Sequence, residues 1–274
     1  MTTIIPTLNE ELHIVRAVES ALSLGPVWVV DSLSTDRTCE LAAGAGARVV
    51  EQSWLGHAAQ KNWALDNLDF ETEWIMFLDA DEVLSKDLVG EIHKALEAAS
   101  ADAFQIPRRN IFLGTNLLHA WWYPDYQTRL FRLGTARYAD REVHEHMRVE
   151  GIVRQLQAPL VHESLKGIEE FLLRHVRYAR FEAAEMLASR DSGAIGPEGS
   201  DPISRRQRLK HNVWYKLPAR PLIRYLWILV VRRGFLDGKA GRRYAGLIAA
   251  YEFMIDGFLF ELDRKIPETD EMAP

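Results

Sequence analysis

The chain has 274 residues, 47% hydrophobic and 26% charged, an ordinary globular composition with enough apolar material for a sizeable core. Its single cysteine, Cys39, excludes an intramolecular disulfide and fits a reducing compartment; no window approaches the roughly 18 uninterrupted apolar residues of a membrane span. The net charge of −6 is uneven: residues 201–245 hold twelve Lys/Arg against two acids, a local +10 that leaves −16 elsewhere.

The opening MTTIIPTLNEE has neither a basic region nor a long apolar stretch, so no signal peptide is expected there. TIIPT (3–7) predicts a short strand. A helix follows, with Asn9 as its N-cap and Leu12, Val15, Val18 and Leu22 on one stripe. VWVVD (27–31) predicts a buried strand, and Ser34 or Thr35 a cap for the next helix, which ends near Gly44 or Gly46. Cys39 sits beside Leu41, Ala42 and Ala43, the setting of a small core residue. ARVVEQ (47–52) is a third strand and HAAQKNWALDNL a third helix. WIMFLDADE (74–82) is a fourth strand running into carboxylates, and Ser85 caps a helix with Leu88, Ile92 and Leu96 inward. From about residue 102 the pattern changes: AFQIP, QTRLFRL and APLVHES read as strands and 167–190 as a long helix. GAIGPEGSDP (193–202) reads as a linker, and helices broken by Pro218, Pro221, Gly234 and Gly238 follow.

The βα alternation of the first hundred residues predicts a parallel sheet covered by helices on both faces. Ligands bind such sheets at the carboxyl ends of the strands. Thr7 to Glu10, Asp31-Ser32 and Asp79-Ala80-Asp81 all fall at strand ends, so they are expected along one edge. Asp79 and Asp81 supply hard oxygen ligands suited to Mg²⁺ or Mn²⁺ shared with a phosphate. Asp31 is placed to hold a base or ribose edge, and Lys61 to reach a phosphate.

The strings IIPTLNEE, VVDSLSTDRT, GHAAQKNWALD and WIMFLDADE, in this order, resemble the family 2 glycosyltransferases of the GT-A fold. IPRRNIFLGTNLLHAWWYPDYQTRLFR, REVHEHM, APLVHES and RRGFLDGKAG resemble the lipopolysaccharide-core branch, which adds glucose or heptose to the inner core. The resemblance implies an α/β, Rossmann-like, mostly parallel sheet flanked by helices. Residues 1–100 would form the nucleotide-sugar half of the GT-A domain and 101–192 the acceptor half, with 203–266 a basic, amphipathic helical extension.

It also implies a metal-dependent, inverting hexosyl transfer from a nucleotide-diphosphate sugar, UDP by family habit, to a hydroxyl of a glycan or glycolipid. The family's metal-binding D-x-D falls on Asp79 and Asp81, with His162 as a further ligand and His144 its rival. Its nucleotide-binding positions fall on Pro6, Thr7, Asn9, Glu10, Asp31, Lys61 and Asp79. The catalytic base, usually in a Glu-Asp pair, falls on Asp125 in a string that reads Pro-Asp here, and Glu145 competes with it. Arg129 is the arginine expected at the diphosphate or an anionic acceptor; Arg108, Arg109 and Arg132 are lesser candidates. Trp121, Trp122 and Tyr123 form either a platform for sugar rings or a packed flap.

The basic stretch 205–245 interleaves arginines with aromatics, and Arg220, Arg224, Trp227 and Val231 are spaced to share a helix flank. It reads either as an interfacial helix on an anionic leaflet, at the inner face of the cytoplasmic membrane, or as an appendage packed on the core or on another subunit of a homo-oligomer. No nucleic-acid motif accompanies the charge. A polyprenol-phosphate sugar synthase, which needs no base, and a catalytically silent scaffold are the competing readings.

Overall fold

β1 (Thr2–Thr7), β2 (Val27–Asp31), β3 (Arg48–Glu51) and β4 (Trp74–Phe77) run parallel in the order β3-β2-β1-β4. Their β-branched and aromatic residues suit strands covered on both faces: Ile4, Ile5, Val29, Val30, Ile75 and Phe77 are all fully buried. The computed structural model describes residues 1–98, 100–139, 147–191, 214 and 217–264. The linker expected at 193–202 and the rival residues His144 and Glu145 lie outside them.

The helices between these strands follow the expected order, but two of their starts differ. α1 (Ile14–Leu22) buries Ile14, Ala17, Val18 and Ala21 on one face, and its N-cap position is His13, not Asn9. Asn9 takes a left-handed conformation, which asparagine tolerates, and its side chain accepts from the backbone N–H of Thr35 across the loop after β2. α2 (Thr38–Gly44) follows a turn in which Asp36, rather than Ser34 or Thr35, accepts the Thr38 N–H. α3 (His57–Asn67) is as expected. In α4 (Lys86–Glu97), Ser85 accepts the Leu88 N–H at 3.2 Å and Leu88 and Ile92 point into the core, as its sequence requires.

The string WIMFLDADE is not one strand. β4 ends at Phe77, and the Glu82 N–H reaches back to the Asp79 carbonyl at 2.9 Å, closing a β-turn. β5 (Glu82–Leu84) then pairs antiparallel with β12 (Leu160–Glu163) at the far end of the sheet. Between them in the hydrogen-bonded order stand β8 (Asp125–Arg132) and β6 (Ala103–Phe112), giving β4-β8-β6-β12-β5. β8 is antiparallel to both neighbours and β12 parallel to β6. In a flat sheet four strand steps would span about 19 Å. The link through Leu78–Asp81 reaches at most about 17 Å when straight, and it contains a tight turn. The sheet therefore curls until β5 comes back toward the end of β4.

Short strands complete this unit: β7 (Thr115–Asn116) and β11 (Val153–Gln155) pair with β6, while β9 (Ala136–Tyr138) pairs with β10 (Met147–Val149). They are too short for a hydrophobic period to announce them.

The chain forms two compact units, one of Met1–Leu118 and Trp122–Leu165, the other of His119–Trp121 and Lys166–Pro274. In the second, α5 (Gly167–Asp191) packs along α7 (Gly238–Asp263) through Ala179, Ala183 and Ile255, with Tyr251 and Phe258 around them. Trp121 stacks on Tyr244 with ring centroids 5.0 Å apart, so it is a packed ring; Trp122, in the first unit, is exposed. Among the described residues no helix is long and apolar enough to cross a membrane.

Gly151 sits at φ +123° where an added Cβ would collide with the Asp102 carboxylate, which itself accepts the Ile152 N–H at 2.7 Å. Gly151→Ala is expected to lower the unfolding free energy by about 1–3 kcal/mol, measured by urea titration. Gly134→Ala, at φ +86° with open space around its Cβ, should cost less.

Candidate active site

The loops after β1 and β2 are joined backbone to side chain. Asn9 N–H donates to Ser34 Oγ at 2.8 Å, Glu10 N–H to Thr38 Oγ1 at 2.7 Å, and Glu11 N–H to Asp36 at 3.2 Å. Asp31, with no exposed surface, organises the second loop. It accepts from Thr7 Oγ1 at 3.0 Å and from the Ser34 N–H at 2.7 Å, and from the Ser34 hydroxyl as well. Both of its oxygens are thus engaged inside the loop. Cys39 lies beside this carboxylate, and burial together with Asp31 pushes its thiol up to about 11.

A buried histidine that the sequence reading did not single out fixes Glu10. His13 Nε2 accepts the Leu165 N–H at 2.7 Å, so its proton sits on Nδ1 and is donated to Glu10 Oε2 at 2.6 Å. Arg16, one turn on, donates to Glu163 at 3.2 Å and to its carbonyl. The segment that follows β12 is therefore held by α1. The one signal in the sequence is the i, i+3 spacing of Glu10 and His13.

The D-x-D turn is the centre of a charged chain. Arg129, buried on β8, donates to Asp79 Oδ1 at 3.2 Å and Oδ2 at 2.5 Å, and to Glu82 Oε1 at 2.7 Å. Glu82 Oε2 in turn accepts the Asp79 N–H at 3.0 Å, so the carboxylate closes its own turn. Arg108 Nη1 stands 3.9 Å from Glu82, and its Nη2 donates to Asp125 at 2.9 Å; Gln127 donates to the other Asp125 oxygen at 2.9 Å. Lys61 Nζ lies 4.0 Å from Asp79 and 4.8 Å from the Tyr138 ring centroid. Asn62 holds that tyrosine in place, donating to its carbonyl and accepting its N–H. His162 Nε2 is 3.1 Å from Asp81 Oδ2.

Register explains the gathering. Glu82 stands opposite His162 across β5 and β12, His162 beside Asn110 across β12 and β6, and Arg108 opposite Asp125 across β6 and β8. With the alternation of strand side chains, these residues share one face with Gln127. Arg129 is the extra residue of a bulge in the β8–β6 pairing, between Thr128 opposite Gln105 and Leu130 opposite Phe104, and joins the group through its contacts with Asp79 and Glu82.

Burial disfavours every charge here, but the neighbours decide the outcome. Arg129 and Lys61 outweigh burial at Asp79 and hold it well below the usual carboxylate range. Burial pushes Asp81 up, yet the His162 hydrogen bond and charge leave it lowered. At Glu82 burial dominates and the carboxyl is raised. The Arg129 charge, opposed by burial, is more than restored by Asp79 and Glu82.

Of the residues expected from sequence, Asp79, Asp81, Lys61, Arg129, His162 and Asp125 are linked to one another by these contacts or by strand register. Thr7, Asn9, Glu10 and Asp31 form the joined loops; Pro6 lies in β1 beside Val30. Glu82 was missed because a carboxylate after D-x-D reads as solvent-facing, although its i, i+3 spacing from Asp79 is that of a β-turn. Gln60, buried and donating to Ser32 Oγ at 3.3 Å and the Gln52 carbonyl at 3.1 Å, had no signal. A groove of about 670 Å³ lined by Gln105, Thr128, Met147, Val149, Val153 and Arg154 holds none of the charged residues of the carboxylate cluster, and Gln105 is on the opposite face of β6 from Arg108, so it does not belong to that cluster.

Among the described residues no three His, Cys, Asp or Glu side chains are grouped as a metal cage. Asp81 and His162 nevertheless bring one carboxylate oxygen and one imidazole nitrogen to the same place. Two such donors fit a hard divalent ion that takes its remaining ligands from phosphate and water. Asp79 faces Arg129 instead.

Residues 2–154 match the family described as "Glycosyl transferase family 2". The "Lipopolysaccharide core biosynthesis glycosyltransferase LpsC" of Rhizobium meliloti (strain 1021) is 29% identical over 266 residues, 91% of this chain and 90% of that protein. An "Uncharacterized glycosyltransferase" of Rickettsia bellii (strain RML369-C) is 39% identical over 105 residues, 38% of this chain and 35% of that one. The solved structure of S. aureus TarS 1-349 aligns with 99% of this chain and 94% of its own at 14% identity and a TM-score of 0.46.

Arg129→Met strands Glu82 without its cation and is expected to destabilise the fold by about 3–5 kcal/mol. Arg129→Met combined with Glu82→Met should recover part of that loss, so the double change costs less than the sum in denaturant titrations. Cys39 is expected to react with iodoacetamide at pH 8 roughly a hundredfold more slowly than a free thiol of pKa about 8.5, because so little of it is thiolate; mass spectrometry of the native protein follows this directly.

Proposed function

The chain belongs to glycosyl transferase family 2 and has the GT-A fold, and on that premise we propose that it moves a hexosyl group, with inversion, from a nucleotide-diphosphate sugar to an acceptor hydroxyl. The observation that carries this reading is the D-x-D turn at the end of β4, with Asp81 against His162 and Asp79 linked through Arg129, Glu82 and Arg108 to Asp125.

Asp125 is the general base. It takes the acceptor proton as the oxygen attacks the anomeric carbon and the nucleotide diphosphate departs. Arg108 and Gln127 each donate to one of its oxygens and so fix its orientation; each oxygen keeps accepting capacity for a hydroxyl. Glu145 is the rival for this role. The loops from Pro6 to Glu10 and around Asp31 embrace the nucleoside, and Lys61 faces the phosphates beside Asp79. Asp31 acts there mainly by shaping the loop, since its oxygens already accept from Thr7 and Ser34. Arg129 orients Asp79 and sets the turn that presents Asp81.

Asp81 and His162 are the residues that would hold a Mg²⁺ or Mn²⁺ ion, with Asp79 nearby. When bound, such an ion offsets negative charge on the leaving diphosphate. UDP is the proposed nucleotide, and a sugar hydroxyl of a lipopolysaccharide-core or related envelope glycolipid the proposed acceptor, encountered on the cytoplasmic side. The resemblance to the rhizobial core transferase over nine tenths of both chains supports that acceptor class.

Two measurements test this. Isothermal titration with a panel of nucleoside diphosphates should show UDP binding that Mn²⁺ strengthens and that Asp81→Ala loses; nucleotide binding indifferent to both would remove the metal role. Asp125→Asn should leave UDP affinity intact while lowering kcat by roughly 10²- to 10⁴-fold. Full activity in Asp125→Asn would transfer the role to Glu145, or point to a phosphate acceptor that needs no base, which Glu145→Gln separates.

A further inference from the structure

The second unit contains a helix whose polarity is turned inside out. α6 (Arg220–Leu226) runs directly into a π-helical turn, Trp227–Val231, and then a 3₁₀ turn, Gly234–Asp237. Its charges face inward. Arg220, 2% exposed, pairs with Asp256 of α7. Arg224 donates to Glu252 at 2.9 Å and lies 4.3 Å over the Trp214 ring; Glu252, itself 3% exposed, also accepts from the Trp214 indole. Its apolar side chains face outward: Leu222 is 58% exposed and Val230 60%, with Leu226, Trp227, Phe235 and Leu236 about half exposed.

The flank expected to carry Arg220, Arg224, Trp227 and Val231 together is therefore split. The wider π turn shifts the helical phase, so the arginines stay inside while Trp227 and Val231 emerge. The arrangement is tightly fixed. A Cβ on Gly234 would meet the Ile228 carbonyl at 2.7 Å, and one on Gly241 would strike the Gly234 carbonyl.

Along residues 217–245 the exposed charges have one sign. Arg233, Lys239, Arg242 and Arg243 are exposed. Between 217 and 245 the sole acid is Asp237, and it accepts from the His119 and Ala120 N–H groups and from the His119 ring. An outward apolar helix face accompanied in sequence by exposed cations that have no acidic partner among the described residues matches an acyl region bordered by anionic headgroups. Two copies of the patch facing each other would bring their cations together, which disfavours a second copy as occupant.

We infer that the outward face of residues 222–243 docks on the anionic lipid surface of a membrane, with Leu222, Leu226, Trp227, Val230, Phe235 and Leu236 entering the interface and Arg233, Lys239, Arg242 and Arg243 meeting the headgroups. The inference stands on the second unit alone and does not rest on the donor chemistry proposed above.

Flotation of the full chain with vesicles of phosphatidylcholine, with and without phosphatidylglycerol, tests it. The bound fraction should rise roughly tenfold or more on the anionic vesicles and fall with added salt. Leu226→Glu with Val230→Glu, and separately Arg242→Glu with Arg243→Glu, should each reduce vesicle binding by about tenfold, at unchanged thermal melting and nucleotide binding. Equal partition onto both vesicle types, no binding to either, or binding that both variants retain would overturn the inference. So would a sedimenting dimer that the Leu226→Glu, Val230→Glu variant dissolves, which would give the face to a second copy.

Discussion

One guanidinium set against two carboxylates governs the arrangement of the first unit. Arg129 sits on a nearly sealed strand face, where an unpaired charge is prohibitively costly, and it meets Asp79 and Glu82 together. Glu82, fully buried, could not keep a charge there alone, whereas Asp79 stays partly open to solvent. Glu82 in turn accepts the backbone N–H of Asp79, so the same contact that neutralises the arginine also closes the turn. Through Arg108 the alternation of signs continues to Asp125. The D-x-D turn and the candidate base are thus not independent features on one face. They are the two ends of a single electrostatic chain, and a shift at either end is felt along it.

The loops after β1 and β2 solve a different problem. Loop backbone at a strand edge leaves N–H groups that need partners, and here side chains of one loop satisfy the backbone of the other. Asn9, Thr38, Asp36 and Ser34 do this, while Asp31 anchors the pattern from the end of its strand. His13 extends the pattern to the segment after β12. The proposed nucleotide cradle is consequently rigid before any ligand arrives, which reduces the ordering cost of binding.

Much of this was legible in the sequence, for identifiable reasons. Buried parallel strands are continuous apolar runs, so VWVVD appears in the structure with the predicted bounds. Ser85 reads as a cap and is one, because its oxygen can accept the Leu88 N–H while its hydroxyl donates to the distant Pro159 carbonyl at 3.1 Å. Asn9 also read as a cap and was wrong, since the loop after β2, more than twenty residues away, supplies a better partner. WIMFLDADE read as one strand because apolar content does not reveal where a chain leaves one strand and enters another. Arg129 was noted as a cation for phosphate; that its charge meets Asp79 and Glu82 depends on β8 lying next to β4, a fact of topology. The inverted helix was the least legible. Its spacing was correct for an α-helix, and a π turn, which no residue type announces, changed the phase.

The short passage from Leu78 to Asp81 closes the curled sheet and also carries the site's central acids. Most surface loops absorb insertions at little entropic cost, and at the turns of Gly114 and Gly134 even the space around an added Cβ is open. The passage after β4 has no such freedom. One extra residue would carry β5 half a pleat forward, put Glu82 where Val83 stands, and so send the carboxylate to the opposite face. Divergence of this enzyme is therefore channelled. Loops hung from β6 and β8 can change in length, while the four residues that bend the sheet back on itself stay fixed.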